Sequence, residues 1–380
     1  MVGDPRTVLI ANPGADLYGS DRMAVETVKA LVDAGFRVVV TVPVSGPLIR
    51  HMTDVGATVV EQPTPIIRRG LLSPRGILQL VGETLSWWAP MWRLLRTVNP
   101  GIVIVNTVTS PLWFAVARLA GRQVVCHVHE AEAMASRILR AALYAPLALC
   151  HRVVVNSAVT LEVLRQAAPF AARRVAVVHN SVVGPPEVVP PRALPTMPIR
   201  LLYVGRLSFR KGPHLVVEAA RILKDRGCEV SVELLGAVFP GNEEYEVGLR
   251  RQVAELGLED AVKFLGFRSD IWDPLSASDI AIVPSVLDES FGNTAVEASL
   301  AARPLIVSDI PGLMEATAPA TGRIVVPPGD AFAIADAVER IVDDWNGFTA
   351  RANSDATVVA RAYSRERYAE SLLRALPASS

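Results

Sequence analysis

Short apolar runs alternate with amphipathic stretches of helical period along most of this chain. In the first half the runs are VLIA (Val8 to Ala11), RVVVTVP (Arg37 to Pro43), IVIVN (Ile102 to Asn106), HRVVVNS (His151 to Ser157) and RVAVVHNSV (Arg174 to Val182). In the second half they are IRLLYVG (Ile199 to Gly205), VSVELLG (Val230 to Gly236), KFLGF (Lys263 to Phe267), DIAIVPS (Asp279 to Ser285) and PLIV (Pro304 to Val307). Runs that are apolar throughout, rather than at every second residue, predict strands buried on both faces of a parallel sheet. Between them the period lengthens. Helices are expected from Asp21 to Asp33, stopped by Gly35, from Pro213 onward, from Glu243 to Leu256, near Trp272 and from Thr294 to Ala302. This βα rhythm is that of an α/β protein whose ligands sit at the carboxyl ends of the strands.

At 380 residues the chain suits two domains rather than one. The expected boundary is the segment 185–198, because GPPEVVPPRALPTMP (Gly184 to Pro198) carries six prolines and reads as a stiff extended connector. Residues 1–184 then form the first domain and 199–363 the second, with the last helix, about 364–380, returning to the first. Hydrophobic residues make up 51% and charged residues 20%, which describes a well-cored globular protein. Lys plus Arg equals Asp plus Glu at 38 each, so no global charge argues for nucleic acid.

Three cysteines, Cys126, Cys150 and Cys228, lack metal or redox spacing and read as buried reduced thiols. The amino terminus passes from MVGDPRT straight into a strand, so no leader is expected. The longest uncharged apolar run, Ala141 to Cys150, is about half of what a spanning helix needs. A cytoplasmic protein is expected, at most one that touches the inner face of a membrane. For such a contact the candidate is 66–96, where Arg68, Arg69, Arg75, Arg93 and Arg96 interleave with leucines and with Trp87, Trp88 and Trp92. That pattern fits an interfacial helix and equally a core-facing helix with a solvated basic face.

Chemistry concentrates at four strand ends. The loop NPGADLYGS has Gly14 and Gly19 but no dinucleotide fingerprint, and Ser20 or Asp21 is the expected helix cap. QVVCHVHEAEA (Gln123 to Ala133) reads as a strand ending in His127, His129 and Glu130. The two histidines share a strand face, but no third and fourth ligand lies at metal spacing. His127 reads as buried and hydrogen-bonded. His129, at the crevice end, suits positioning or deprotonating a hydroxyl, with Glu130 beside it as partner or substrate contact. Arg206 and Lys211 flank a loop that runs into a helix amino terminus, which makes an anion site fit for a diphosphate. In PSVLDESFGNTAVEAS (Pro284 to Ser299), Glu289 and Glu297 bracket another helix start. There Thr294 to Glu297 fits a capping box, and Gly292 a positive φ.

Glu289 and Glu297, spaced E-x7-E around Phe291-Gly292, together with G-R-L-x-x-x-K-G at Gly205, Arg206, Lys211 and Gly212, resemble the signature of the retaining GT-B glycosyltransferases of family 4. The resemblance covers nearly the whole chain and is specific mainly from Tyr203 to Asp330. It implies two Rossmann-like domains facing across a cleft, with a nucleotide-diphosphate sugar as donor and a glycan, glycolipid or small-molecule hydroxyl as acceptor, and no metal or other cofactor. By resemblance Glu289 lies by the transferred sugar with the backbone of Phe291, Gly292, Asn293 and Thr294, and Glu297 holds the ribose. Arg206 and Lys211 grip the diphosphate, and Gly266, Phe267 and Arg268 flank the base. Gly19 faces donor and acceptor, and Ser20, His129 and Glu130 face the acceptor. Polysaccharide or glycolipid assembly is the implied role. A sugar-nucleotide epimerase and a non-catalytic partner of an active transferase are the alternatives.

Overall fold

The computed structural model describes residues 3–17, 19–66, 74–129 and 137–377. It divides into two compact units, Met1–Ser181 with Arg365–Ser380, and Val182–Ser364.

In the first unit the order is β1 (Asp4–Ala11), α1 (Gly19–Asp33), β2 (Arg37–Val42), α2 (Leu48–Asp54), β3 (Thr58–Glu61), α3 (Pro74–Val98), β4 (Pro100–Val105), α4 (Pro111–Leu119), β5 (Gln123–Val128), α5 (Arg137–Tyr144), β6 (Arg152–Val155), α6 (Ala158–Ala167) and β7 (Val175–Val177). Among the described residues the strands form one parallel sheet ordered β3-β2-β1-β4-β5-β6-β7, so the order reverses between β1 and β4. One face packs Leu9, Val39, Val103 and Val124 under Trp113 and Phe114 of α4 and Leu95 of α3. The other packs Ile10, Val40 and Ile104 under Met23 and Val28 of α1. Alternate residues of each strand thus feed opposite cores, which is why the runs are apolar at every position.

The second unit runs β8 (Ile199–Val204), α7 (Pro213–Asp225), β9 (Val230–Leu235), α8 (Glu243–Glu255), β10 (Val262–Gly266), α9 (Trp272–Ala277), β11 (Ile280–Val283), α10 (Asn293–Leu300), β12 (Leu305–Ser308), α11 (Pro311–Ala316), β13 (Arg323–Val326), α12 (Ala331–Asp343) and α13 (Trp345–Ala362). Its parallel sheet is ordered β10-β9-β8-β11-β12-β13, with the reversal between β8 and β11. The last helix, α14 (Arg365–Ala375), belongs to the first unit. Tyr368 and Leu372 enter the core under α1, the Tyr368 hydroxyl lies 2.6 Å from Thr27 Oγ1, and Arg365 Nε donates to Glu26 at 2.7 Å.

Several details differ from the sequence expectation. The unit boundary falls at 181/182, because Val182 N donates to Tyr363 O at 3.1 Å and its side chain packs with Phe291, Val296 and Leu300. The proline-rich segment is strapped to the second unit rather than left as a bare connector. Arg303, fully buried, donates to Val189 O, and Trp345 Nε1 donates to Arg192 O at 2.9 Å. Arg192 also joins Arg200 on the buried Asp279 carboxylate. The helix expected from Asp21 starts at Gly19, and the one expected from Thr294 starts at Asn293 with Gly292 as its N-cap. No capping box forms at Thr294, because the chain enters α10 through Gly292 at φ +109° instead.

Of 66–96, residues 67–73, including Arg68 and Arg69, lie outside the described residues. Over the rest, Trp87, Trp88 and Trp92 pack half-buried against the core of the first unit while Arg93 and Arg96 face solvent. No helix among the described residues is long and apolar enough to cross a membrane. Cys126 and Cys150 are buried, Cys228 is half-buried, and all three are free thiols.

A buried carboxylate that loses its counter-ions costs several kilocalories per mole, and one that is itself removed leaves its cations stranded. Asp279→Ala is therefore expected to lower the unfolding free energy by about 3 kcal/mol, measured by urea denaturation with a probe in the second unit.

Candidate functional site

The second unit gathers charge at its topological switch point, where the loops after β8 and β11 leave adjacent strands in divergent directions. From β8 the chain passes Gly205 and Arg206, makes one tight turn over Phe209 to Lys211, and enters α7 through Gly212 with Pro213 in its first turn. Gly212 is required twice. Its φ is +72°, and a Cβ there would meet the Pro284 carbonyl oxygen at 2.1 Å. That approach presses the 205–212 loop against the loop leaving β11, and Val286 N completes the junction by donating to Arg210 O at 2.8 Å.

Glu289 sits at the centre of this junction and is 5% exposed. Lys211 Nζ lies 2.5 Å from its Oε1, Arg210 NH1 3.5 Å away, and Ser285 Oγ donates to the same oxygen at 2.8 Å. Burial alone would raise the carboxyl pKa. The cations of Lys211 and Arg210 and the Lys211 and Ser285 hydrogen bonds outweigh it, so Glu289 titrates below its ordinary value and stays a carboxylate at neutral pH. A group held this way accepts hydrogen bonds from hydroxyls and does not donate a proton. Arg210 also donates to Asp288 O at 2.7 Å. The sequence pattern passed over Arg210 and Ser285. Arg210 filled an unspecified position of the motif, and a buried serine after a strand looks like any turn residue. The one available signal was that Ser285 and Glu289 lie four residues apart.

The other predicted residues of this unit have separate places. Arg206 is not among the cations that pair with Glu289. Its guanidinium lies over the Phe239 ring at 5.1 Å, and its carbonyl accepts from Tyr203 Oη at 2.7 Å. Phe291 is buried and meets the Tyr363 ring edge-on at 5.3 Å, so its ring serves the core and only its backbone faces the loop. Gly312 presses on that backbone, since a Cβ there would meet Glu289 O at 2.0 Å, while Gly292 accommodates Leu313. Asn293 and Thr294 open α10, where the leading N–H groups have no intrahelical acceptor. Glu297, half-buried, lies one turn further along. Gly266 ends β10 at φ +67°, and Phe267 and Arg268 stand exposed just beyond it.

In the first unit Gly19 and Ser20 form the first turn of α1. His129 follows β5 directly, is 7% exposed, and its Nε2 lies 2.8 Å from Asn106 Oδ1. Burial pushes its pKa down to about 4, so the imidazole is neutral at pH 7. Glu130 lies outside the described residues. His127 is buried, but not hydrogen-bonded as expected. Neither ring nitrogen has a partner among the described residues, and its ring centre lies 4.0 Å from that of His129. Burial first, and then His129, hold its pKa well below the ordinary value. Among the described residues no group of three or more His, Cys, Asp and Glu is placed to hold a metal ion.

Two family profiles match in tandem, "Glycosyltransferase Family 4" over residues 18–183 and "Glycosyl transferases group 1" over 172–359. Among curated proteins, the D-inositol 3-phosphate glycosyltransferase of Corynebacterium urealyticum is 33% identical over 182 residues, 46% of this chain and 42% of that protein. The alpha-D-kanosaminyltransferase of Streptomyces kanamyceticus is 34% identical over 146 residues, 38% of this chain and 36% of that one. Both alignments thus span less than half the length of the curated relative. The crystal structure of Anabaena HepE in complex with UDP and glucose superposes over 97% of this chain and 98% of its own, with a TM-score of 0.80 at 20% identity.

Neutral buried imidazoles make stability pH-dependent with a definite sign. As pH falls below about 6.5 the unfolded chain binds protons at His129, while the folded chain does not until about 4, so folding weakens across that window. The loss from His129 should be on the order of 3 kcal/mol, seen as a fall in urea midpoint between pH 7 and 4 that His129→Gln reduces.

Proposed function

The chain belongs to the glycosyl transferases of group 1 and family 4, with the GT-B fold, and from that premise we propose that it moves a sugar from a nucleotide-diphosphate sugar to a hydroxyl acceptor with retention of anomeric configuration. The carrying observation is the cluster around Glu289. Two cations, Lys211 and Arg210, surround one buried carboxylate beside the amino termini of α7 and α10. The cluster keeps one positive charge in excess before Arg206 is counted, and helix starts add donor N–H groups of the same sign. A diphosphate is the anion that such a place suits.

In this reaction the bond from the anomeric carbon to the diphosphate oxygen breaks and a bond to the acceptor oxygen forms. The nucleoside diphosphate departs with the electron pair of the broken bond, and the acceptor's hydroxyl proton passes to the departing diphosphate. Negative charge grows on the leaving oxygen, and Lys211 and Arg206 stabilise it there more than in the ground state, which is how a fixed cation lowers a barrier. This chain's own cations supply that stabilisation, and no metal is assigned to the step. Glu289, kept ionised, accepts hydrogen bonds from the sugar hydroxyls and orients the ring. Glu297 receives the ribose hydroxyls, and the loop Gly266 to Arg268 borders the base. On the first unit, Gly19 and Ser20 attend the acceptor and neutral His129 hydrogen-bonds its hydroxyl. The acceptor class is a glycan, glycolipid or small molecule. The biological role is polysaccharide or glycolipid assembly in the cytoplasm at the inner membrane face, where the solvent-facing Arg93 and Arg96 of α3 suit anionic headgroups.

The test is a thermal-shift panel of UDP-, GDP-, ADP- and dTDP-sugars, with and without EDTA. One donor is expected to raise the melting temperature of the wild type regardless of EDTA and to fail with Glu297→Ala. A panel with no shift, by the wild type, sinks the proposal. With the donor so identified, Lys211→Ala is expected to lower kcat/KM by about a hundredfold or more, read as release of nucleoside diphosphate.

A further inference from the structure

Four buried polar side chains, one from each of four neighbouring strands, follow one another across the carboxyl end of the first sheet. They are Asn12 after β1, Asn106 after β4, His129 after β5 and Asn156 after β6. Polar groups in such a layer are expensive unless each is satisfied, and here three are linked in series. Asn106 Nδ2 donates to Asn12 Oδ1 at 2.7 Å, and Asn106 Oδ1 meets His129 Nε2 at 2.8 Å. Asn156 adds an anchor, donating from Nδ2 to His129 O at 3.4 Å while its Oδ1 accepts from Thr160.

The direction of each bond in the series is fixed from one end. Asn12 Nδ2 faces the Asp21 carboxylate at 3.1 Å and the Gly14 carbonyl at 2.9 Å. Both only accept, so the amide nitrogen must point at them and Asn12 Oδ1 must point away. That oxygen can receive only the nitrogen of Asn106, which turns Asn106 Oδ1 toward the imidazole. A carbonyl oxygen cannot donate, so the single proton of the neutral ring is on Nε2 and the lone pair is on Nδ1. The imidazolium form would satisfy the same oxygen, but burial of His129 beside the uncharged His127 ring excludes it at neutral pH.

We propose that Asn106, with Asn12 behind it, is a positioning residue that locks His129 as the Nε2–H tautomer, so that Nδ1 is the atom presented to the substrate hydroxyl. The presentation to substrate rests on the transfer reaction proposed above, while the tautomer does not. The partner chosen has a consequence for what the histidine does. A carboxylate behind Nε2–H would stabilise an imidazolium and favour proton abstraction. A neutral amide does not, so His129 orients the hydroxyl by accepting its hydrogen bond and does not store its proton.

Long-range proton–nitrogen spectra of the intact histidine-labelled chain, with the His129 signal assigned by its loss in His129→Gln, read the tautomer. The expected result between pH 6 and 8 is a protonated Nε2 and a pyridine-type Nδ1. Asn106→Leu should give a tautomer mixture, and Asn106→Asp, whose carboxylate would face Nε2, should keep the proton on that nitrogen and raise the pH at which the ring becomes an imidazolium. Turnover is followed as hydrolysis of UDP-glucose. Asn106→Leu is expected to lower kcat by about tenfold or more with the donor KM little changed. Should Asn106→Leu fail to fold, Asn12→Ala is judged by the same criteria. His129 protonated on Nδ1 in the wild type overturns the proposal, as does an unchanged kcat once the tautomer is scrambled. If UDP-glucose is not hydrolysed, turnover is read with the donor that the thermal-shift panel identifies, and the spectra decide the tautomer in either case.

Discussion

A carboxylate removed from water keeps its charge only if cations and donors are built around it, and in the second unit much of the switch-point architecture exists to do that for Glu289. The tight turn over Phe209 to Lys211 delivers two cations to one side. The loop after β11 delivers Ser285 and the carboxylate itself from the other. The two loops hold together because Gly212 lets a backbone carbonyl approach where any side chain would collide, and Gly312 does the same behind Glu289. The sheet order places β8 and β11 side by side with their loops diverging. Without that reversal the charges would have no common place to meet.

The first unit solves a related problem without charge at its working atom. Its switch point lies between β1 and β4, and it is there that Asn12 and Asn106 stand, each short enough to fit between strands and each able to donate and accept at once. An aspartate at either place would put a second anion into a layer that already holds Asp21. A leucine would leave the neighbouring amide unpaired.

Much of this was legible in the sequence. Runs apolar at every position named most strands of both parallel sheets, though not the edge strands β3 and β13, and the glycine–basic and glutamate spacings named the loops that converge on Glu289. What escaped is instructive in kind. Arg210 and Ser285 carry no periodic signal, and their role arises only when two loops some seventy residues apart are pressed together. The capping box at Thr294 was a local pattern overruled by Gly292, whose left-handed backbone starts α10 one residue earlier. His127 looked like a satisfied core histidine, yet its nitrogens find no partner among the described residues, because alternation along β5 puts it on the same strand face as His129, ring against ring. The proline-rich segment read as a spacer from composition alone. Its ties to Arg303, Asp279 and Trp345 depend on side chains far along the chain.

The return of α14 to the first unit bears on how the chain is made. Tyr368 and Leu372 lie in the same core as Met23 and Val28, contributed by residues more than three hundred positions earlier. On the ribosome, α1 therefore emerges with part of its apolar face uncovered and stays so while the entire second unit is synthesised. The second unit, contiguous from Val182 to Ser364, has all its own segments in hand before the first does. The part of the protein that is translated first is the last to be finished, and its exposed seam during that interval is a place for a chaperone to act.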